Sequence, residues 1–212
     1  METTMKETYT FDDLLEITRR LVGPDGCSWD RAQTHETLRR FAVEEAYELV
    51  DAIESADAKK IADESGDVLF QVVLHAALAE RDGGYGIEDV TDAICRKMIR
   101  RHPTVFGLDG PEDWDAIKRL EKNQQGLLDE LVEIPNGFPA LLRAEKVQKK
   151  IAKAGHETKK SLPKDASEEL QLGKELFDLA DKCRRAGIAP ELALNRYLKE
   201  YVTDMKENYK GE

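Results

Sequence analysis

Two groups of acidic residues stand close together in the first third of the sequence. The first group is Glu44, Glu45 and Glu48, and the second is Glu64 and Asp67. In a helix, residues three or four positions apart share one face, so each group predicts an acidic stripe on a helix. A short turn between the two helices would make them antiparallel neighbours, and the two stripes could then face each other.

The residues after the second group bear on whether these stripes are an ordinary solvated surface. From Val68 to Ala79 the sequence is apolar on nearly every side of a helix, which predicts burial. Gln71 and His75 continue the line of Glu64 and Asp67 into this apolar stretch. Carboxylates that enter a core are costly to desolvate unless they are paired or bind a metal. Because no run of Lys or Arg lies on these faces, we expect a Mg²⁺ or Mn²⁺ site.

The remainder of the sequence predicts an all-α fold. Apolar positions recur every three or four residues, and no alternating strand pattern occurs. The predicted helices cover residues 11–22, about 37–55, about 58–82, 87–101, 114–125, 140–154 and two segments of 168–209 separated at 187–190, whereas 27–35 is predicted as a loop and 126–139 as a connector.

Several basic residues have two possible interpretations. Lys97, Arg100 and Arg101 end one predicted helix, where cations compensate the helix dipole. If this cluster folds over the carboxylates, it would instead bind phosphate groups. Lys60 could pair with Glu64 one turn later or contact phosphate beside the metal.

Two residues of the predicted loop could also contact a ligand. For Trp29, structural packing is the favoured interpretation. For His35, packing and ligand binding both stay open.

Composition narrows the class of partner and the compartment. The chain of 212 residues is long enough for one compact domain or two small ones, and its net charge of −11 disfavours binding to nucleic acid or to an acidic membrane. Cys27, Cys95 and Cys183 are far apart and form no CxxC motif, which favours a reducing, cytoplasmic location. The N-terminus has no apolar signal core, and the longest apolar run is too short to span a bilayer.

Five short motifs occur along the chain. They are Cys27–Asp30 with Gln33–His35, Glu44–Glu48, Glu64–Val72, Lys97–Phe106 and Phe138–Lys149. In this order, and over nearly the whole chain, they resemble the MazG family of all-α nucleoside triphosphate pyrophosphohydrolases. The resemblance implies a four-helix core that assembles into dimers or larger oligomers, with the site between helices.

The resemblance also implies roles for individual residues. Magnesium ligands, for which manganese could substitute, are implied at Glu45, Glu48, Glu64 and Asp67. Glu44 would coordinate as well or act as a base on water. Substrate contacts are implied or predicted at Lys60, Lys97, Arg100, Arg101, Trp29 and His35.

A short internal sequence similarity indicates a degenerate second repeat. The segment Gly173–Phe177 is similar to Gly66–Phe70, and Lys174 takes the place of Asp67. A lysine there would repel a metal, so activity is expected in the first repeat. The predicted organisation is a catalytic repeat at 1–107, a connector at 108–139 and a degenerate MazG-like repeat at 140–212.

The predicted reaction is hydrolysis of (d)NTP to (d)NMP and diphosphate, as housecleaning of the nucleotide pool. The first alternative is a helical dimer that binds nucleotides or a partner protein with weak catalysis. The second is a relative specialised for dUTP or phosphoribosyl-ATP.

Overall fold

The computed structural model describes residues 5–110, 116–117, 121, 126–157 and 161–208. All regular structure within these ranges is helical, which confirms the predicted all-α class. The helices are α1 (Phe11–Val22), α2 (Ser28–Arg31), α3 (His35–Ser55), α4 (Ala58–Arg81), α5 (Ile87–Arg101), α6 (Leu127–Val132), α7 (Ala140–Lys153), α8 (Glu168–Arg185) and α9 (Pro190–Asn208).

The chain divides into two compact units, residues 1–112 and 113–212. The first unit contains α1 to α5, and the second contains α6 to α9. The predicted repeats at 1–107 and 140–212 stay predictions. The predicted helix at 114–125 lies almost entirely outside the described residues.

The first unit is organised around the hairpin of α3 and α4. Thr34 caps α3: its hydroxyl accepts the Thr37 N–H at 3.2 Å, and the Thr37 hydroxyl accepts the Thr34 N–H at 2.8 Å. Ala56 then turns the chain with a left-handed φ of 54°. The Asp57 carboxylate caps α4 by accepting the Lys59 N–H at 2.9 Å. Since the turn holds only two residues, the helices lie side by side and antiparallel.

The core of this unit lies toward the C-terminal half of α4. One cluster joins α4 to α1 and α3, and the other joins α4 to the start of α5. Their buried members are Val22, Leu38, Leu74, Ala77 and Leu78 in the first cluster, and Val73, Ala76 and Ile87 in the second.

The prediction that α4 is buried on nearly every side after Asp67 is wrong for its middle turns. Leu69 and Val72 are 41% and 42% exposed, and the first fully buried residue of α4 is Val73. Among the described helices, α1, α3 and α5 contact α4. The core cluster that α4 shares with α5 contains α4 residues only from Val73 onward, so α5 does not cover the middle turns of α4.

Two short helices were not predicted from the sequence. α2 lies inside the predicted loop, and α6 lies inside the predicted connector. At four and six residues, both are too short for a helical repeat of apolar positions to show. The prediction for 27–35 and 126–139 is therefore corrected at these two places.

The second unit packs α7 against α8. Gln148 on α7 is fully buried and donates its side-chain N–H to the Phe177 carbonyl at 2.5 Å. Lys150 ties α7 to α6 through the Glu130 carboxylate at 2.9 Å. Among the described residues, no helix combines the length and apolar character needed to cross a membrane.

Candidate active site

The α3–α4 hairpin brings three carboxylates together. Glu45 and Glu48 lie one turn apart on α3, and Glu64 lies on the facing part of α4. One carboxylate oxygen from each side chain lies within 4.8 Å of the others. This is the one group of three or more possible metal ligands found within the described residues.

The electrostatics of the cluster oppose full ionisation. Partial burial raises the pKa of Glu45, and the charges of Asp67, Glu48, Glu64 and Glu44 raise it further. Burial also raises the pKa of Glu64, followed by repulsion from Glu48 and Asp67. A positive charge placed among these groups would relieve both the repulsion and the loss of solvation.

The residues present fit a hard divalent cation. All the donors are carboxylate oxygens, which Mg²⁺ and Mn²⁺ prefer. One oxygen of Glu64, Oε2, is buried and has no hydrogen-bond partner in the described structure. A buried acceptor without a partner is costly, and coordination of a cation would satisfy it.

Asp67 and Glu44 border the cluster without joining the group of three. Both are exposed, and both raise the pKa of Glu45 by charge repulsion. Their metal-binding and base roles stay predictions.

The predicted phosphate contacts lie on α4 and α5. Lys60 is exposed in the first turn of α4, one turn before Glu64. Lys97 is half-buried on α5, and Arg100 and Arg101 are in its last turn.

α5 is held against α4 by its N-terminal end. α5 begins with Ile87 and Val90, which pack against α4 in the second core cluster. Within the described chain, α5 contacts α4 but not α3, which carries Glu45 and Glu48. The binding of phosphate by this basic cluster, folded over the carboxylates, stays a prediction.

Trp29 and His35 lie in different surroundings. The Trp29 ring meets Phe41 edge-on at 5.7 Å between centroids, yet Trp29 stays 49% exposed. His35 precedes Glu45 by ten residues, which is about 15 Å of helix. Their roles toward substrate stay predictions.

The structure adds one polar contact that sequence reasoning missed. The Nδ1 atoms of His35 and His75 are 2.7 Å apart, and Tyr85 lies parallel to the His35 ring with 6.2 Å between centroids. The position of His75 on the polar line of α4 was visible in the sequence. Its partner was not visible, because 40 residues separate the two histidines.

A helical hairpin that gathers carboxylates from both of its helices defines a carboxylate-lined site on an all-α scaffold, suited to chemistry on phosphorylated substrates. Residues 33–106 match the family described as "MazG nucleotide pyrophosphohydrolase domain". The match covers α3, α4 and α5, and therefore the whole cluster.

Individual relatives extend the similarity over most of the chain. The chain is 37% identical to the "Nucleoside triphosphate pyrophosphohydrolase/pyrophosphatase MazG" of Thermotoga maritima, over 96% of this chain and 87% of that protein. It is 33% identical to the "Nucleoside triphosphate pyrophosphohydrolase" of Escherichia coli K12, over 92% of this chain and 86% of that protein. The chain belongs to the MazG family, whose members are hydrolases that act on phosphoanhydride bonds.

Proposed function

We propose that this protein hydrolyses nucleoside triphosphates to the monophosphate and diphosphate in a Mg²⁺-dependent reaction, with Mn²⁺ as a possible substitute. The observation that carries the proposal is the group of three carboxylates within 4.8 Å, one of which has a buried oxygen without a hydrogen-bond partner. The names of the Thermotoga and Escherichia relatives support the choice of substrate class.

In this proposal, the metal would be held by Glu45, Glu48 and Glu64, with Asp67 beside them. When bound, it would neutralise polyphosphate charge and make a water molecule more acidic. The water oxygen attacks a phosphorus of the α–β anhydride, the bridging P–O bond breaks, and diphosphate leaves. The Glu44 carboxylate is proposed to accept the proton of that water.

The basic residues would act on the charge that develops on phosphate oxygens. Lys97, Arg100 and Arg101 are proposed to bind these oxygens, and Lys60 would approach from the first turn of α4. In the same proposal, Trp29 and His35 contact the nucleoside part of the substrate.

We also propose a cytoplasmic homodimer or larger homo-oligomer that clears non-standard nucleotides. All three cysteines are free thiols, which suits a reducing compartment. The net charge of −11 supports the absence of a nucleic-acid partner.

A panel of ribo- and deoxyribonucleoside triphosphates tests the reaction. Each is incubated with Mg²⁺, with Mn²⁺ and with EDTA, and the products are resolved as monophosphate and diphosphate. We expect both products in equal amounts with either metal and neither with EDTA. Release of inorganic phosphate and nucleoside diphosphate would overturn the assigned reaction.

The same assay, with phosphoribosyl-ATP added as a further substrate, separates two competing functions. Turnover of dUTP or phosphoribosyl-ATP alone would identify a specialised relative. Tight binding without turnover would identify a nucleotide-binding dimer. One observation favours binding without catalysis for the second unit. Lys174, at the position that corresponds to Asp67, pairs with Asp178 at 2.5 Å.

A further inference from the structure

His35 and His75 present ring nitrogens to each other across the α3–α4 hairpin. The two Nδ1 atoms are 2.7 Å apart, and the planes of the rings differ by only 11°. Only one of these nitrogens can carry a hydrogen in that contact, so the other directs a lone pair into the space between the rings. Histidine is the commonest protein ligand of metal ions. Two ring nitrogens that converge from separate helices therefore form the core of a metal site.

The separation of the two nitrogens is close to the one that a shared metal ion requires. Zn–N bonds are about 2.0–2.1 Å long, and two of them at an angle of about 90–110° place the nitrogens about 2.8–3.4 Å apart. The rings therefore have to separate by less than about 1 Å. Because His35 is exposed and His75 is only half-buried, both side chains can turn by that amount.

Both histidines are held in place by structure that exists before any metal binds. His35 is the first residue of α3, where the capping box of Thr34 and Thr37 fixes the start of the helix. His75 follows the fully buried Leu74 in the core half of α4. Little conformational freedom would be lost on binding, and such preorganisation favours affinity.

The protonation of the pair also suits a cation. Burial lowers the pKa of His75, and the neighbouring His35 lowers it further, so the His75 ring is neutral at pH 7 and has a lone pair to donate. Hydrogen bonds from Arg81 hold the pKa of Asp82 below its usual range, and the charge of His35 lowers it further, which indicates a carboxylate charge close to the pair. Arg81 binds both Asp82 oxygens, at 2.8 and 3.1 Å, so Asp82 is not counted as a ligand.

We propose that His35 and His75 bind one divalent transition-metal ion, Zn²⁺, through their Nδ1 atoms. The hydrogen that one Nδ1 carries in the metal-free protein moves to Nε2 of the same ring, so that two neutral imidazoles become ligands. Two protein ligands leave the remaining positions to water, which makes the site open. While the ion is bound, His35 is not available to a nucleoside.

The histidine site is separate from the carboxylate cluster and differs from it in chemistry. Glu45 follows His35 by ten residues, and His75 follows Glu64 by eleven, so about 15–17 Å of helix separates the two sites. The cluster offers carboxylate oxygens, which suit Mg²⁺, whereas imidazole nitrogens suit Zn²⁺. Zinc binding therefore goes beyond the proposed function and does not depend on hydrolysis.

Titration of the full chain with Zn²⁺ tests the inference, and excess Mg²⁺ keeps the carboxylate cluster from competing. Calorimetry should show one Zn²⁺ bound per chain, and the ¹⁵N NMR signals of both Nδ1 atoms should shift on binding. In His75→Gln the dissociation constant should rise at least about 10-fold, since loss of even an indirect partner of a metal ligand costs about 10–100-fold. His35→Gln, a change at an exposed position, should show the same loss. Circular dichroism checks that both variants are folded.

His156→Gln is the matched control, because His156 is exposed in the second unit, and it should bind Zn²⁺ as the wild type does. A wild type that binds no Zn²⁺ in excess Mg²⁺, or an unchanged affinity in His35→Gln, would overturn the inference. Co²⁺ in place of Zn²⁺ identifies the ligands by absorption, and a strong thiolate band in the near ultraviolet would assign the metal to cysteine instead. The titrations contain no nucleotide, so their failure is distinguishable from failure of the proposed reaction.

Discussion

The Nδ1 atoms of His35 and His75 lie 2.7 Å apart, and this contact joins the first residue of α3 to the buried half of α4. The rings are almost parallel, at 11°, with centroids 5.0 Å apart. They therefore meet edge to edge, because stacked rings could not bring two nitrogen atoms so close. One nitrogen must donate and the other accept, so a second proton between them would break the contact.

The first prediction concerns pH. Burial lowers the pKa of His75 below its ordinary 6.5, and His35 lowers it further. In acid the unfolded chain takes up a proton that the folded chain resists, so the free energy of unfolding should fall as the pH drops through 6.5. Urea unfolding at pH 7.5 and 5.5 measures this, and His75→Gln should lose less stability than the wild type.

His156→Gln is the control for that experiment, because His156 is exposed in the second unit. It should retain the wild-type decrease between the two pH values. An equal decrease in wild type and His75→Gln would show that the histidine contact does not contribute.

The second prediction concerns the carboxylate cluster. Glu48→Gln should lower the rate of diphosphate release about 100-fold or more, because it removes one charged oxygen donor from the group of three. Glu36→Gln, an exposed change on the same helix, should retain the wild-type rate. Equal rates for wild type and Glu48→Gln would refute the assignment of the site.

The third prediction separates stability from function. The raised pKa of Glu45 means that its ionised form is disfavoured in the fold. This cost is absent well below the ordinary carboxyl value of 4.5 and fully present above the raised pKa. At pH 7.5 in EDTA, Glu45→Gln should therefore unfold at a higher urea concentration than the wild type while losing activity. A lower midpoint would indicate that the charge of Glu45 is stabilised in the metal-free protein.

The fourth prediction concerns Gly66 and Gly173, which begin the two similar segments. A methyl group at Gly66 or at Gly173 would meet nothing within 4 Å, and both residues lie inside helices. Alanine at either position should therefore stabilise the fold by about 0.5–1 kcal/mol in urea titrations. Because residues two positions apart point to opposite sides of a helix, the methyl group at Gly66 would lie on the other side of α4 from Glu64, and Gly66→Ala should leave the rate of hydrolysis unchanged. A lower urea midpoint for either variant would contradict the open space at these two positions.

The fifth prediction concerns the core between α3 and α4. Leu38 is fully buried, and its replacement by alanine should lower the free energy of unfolding by about 2–5 kcal/mol. Leu69→Ala removes the same atoms from a side chain that is 41% exposed, and it should cost clearly less. Circular dichroism during urea titration measures both, and similar losses would contradict the burial of Leu38 in the core between α3 and α4.

Local patterns were sufficient for the longer helices but not for contacts between them. α1 and α5 have the bounds predicted from their apolar repeat, 11–22 and 87–101. The burial of α4 was overestimated, because the sequence does not reveal how far α5 extends along it. The proximity of Glu45, Glu48 and Glu64 follows from helical spacing and a short turn. The contact of His35 with His75 depends on the axial alignment of two helices, which no local pattern encodes.

The turn at Ala56 and Asp57 has a consequence for insertions and deletions. Glu48 and Glu64 stand at nearly equal distances along the chain from this turn, one on each side. One extra residue in either helix between the turn and the cluster would slide one row of side chains by about 1.5 Å and swing it by about 100°. Both helices could survive such a change while the acidic groups no longer met. The number of residues between Glu48 and Glu64 is thus as much a part of the site as the side chains themselves.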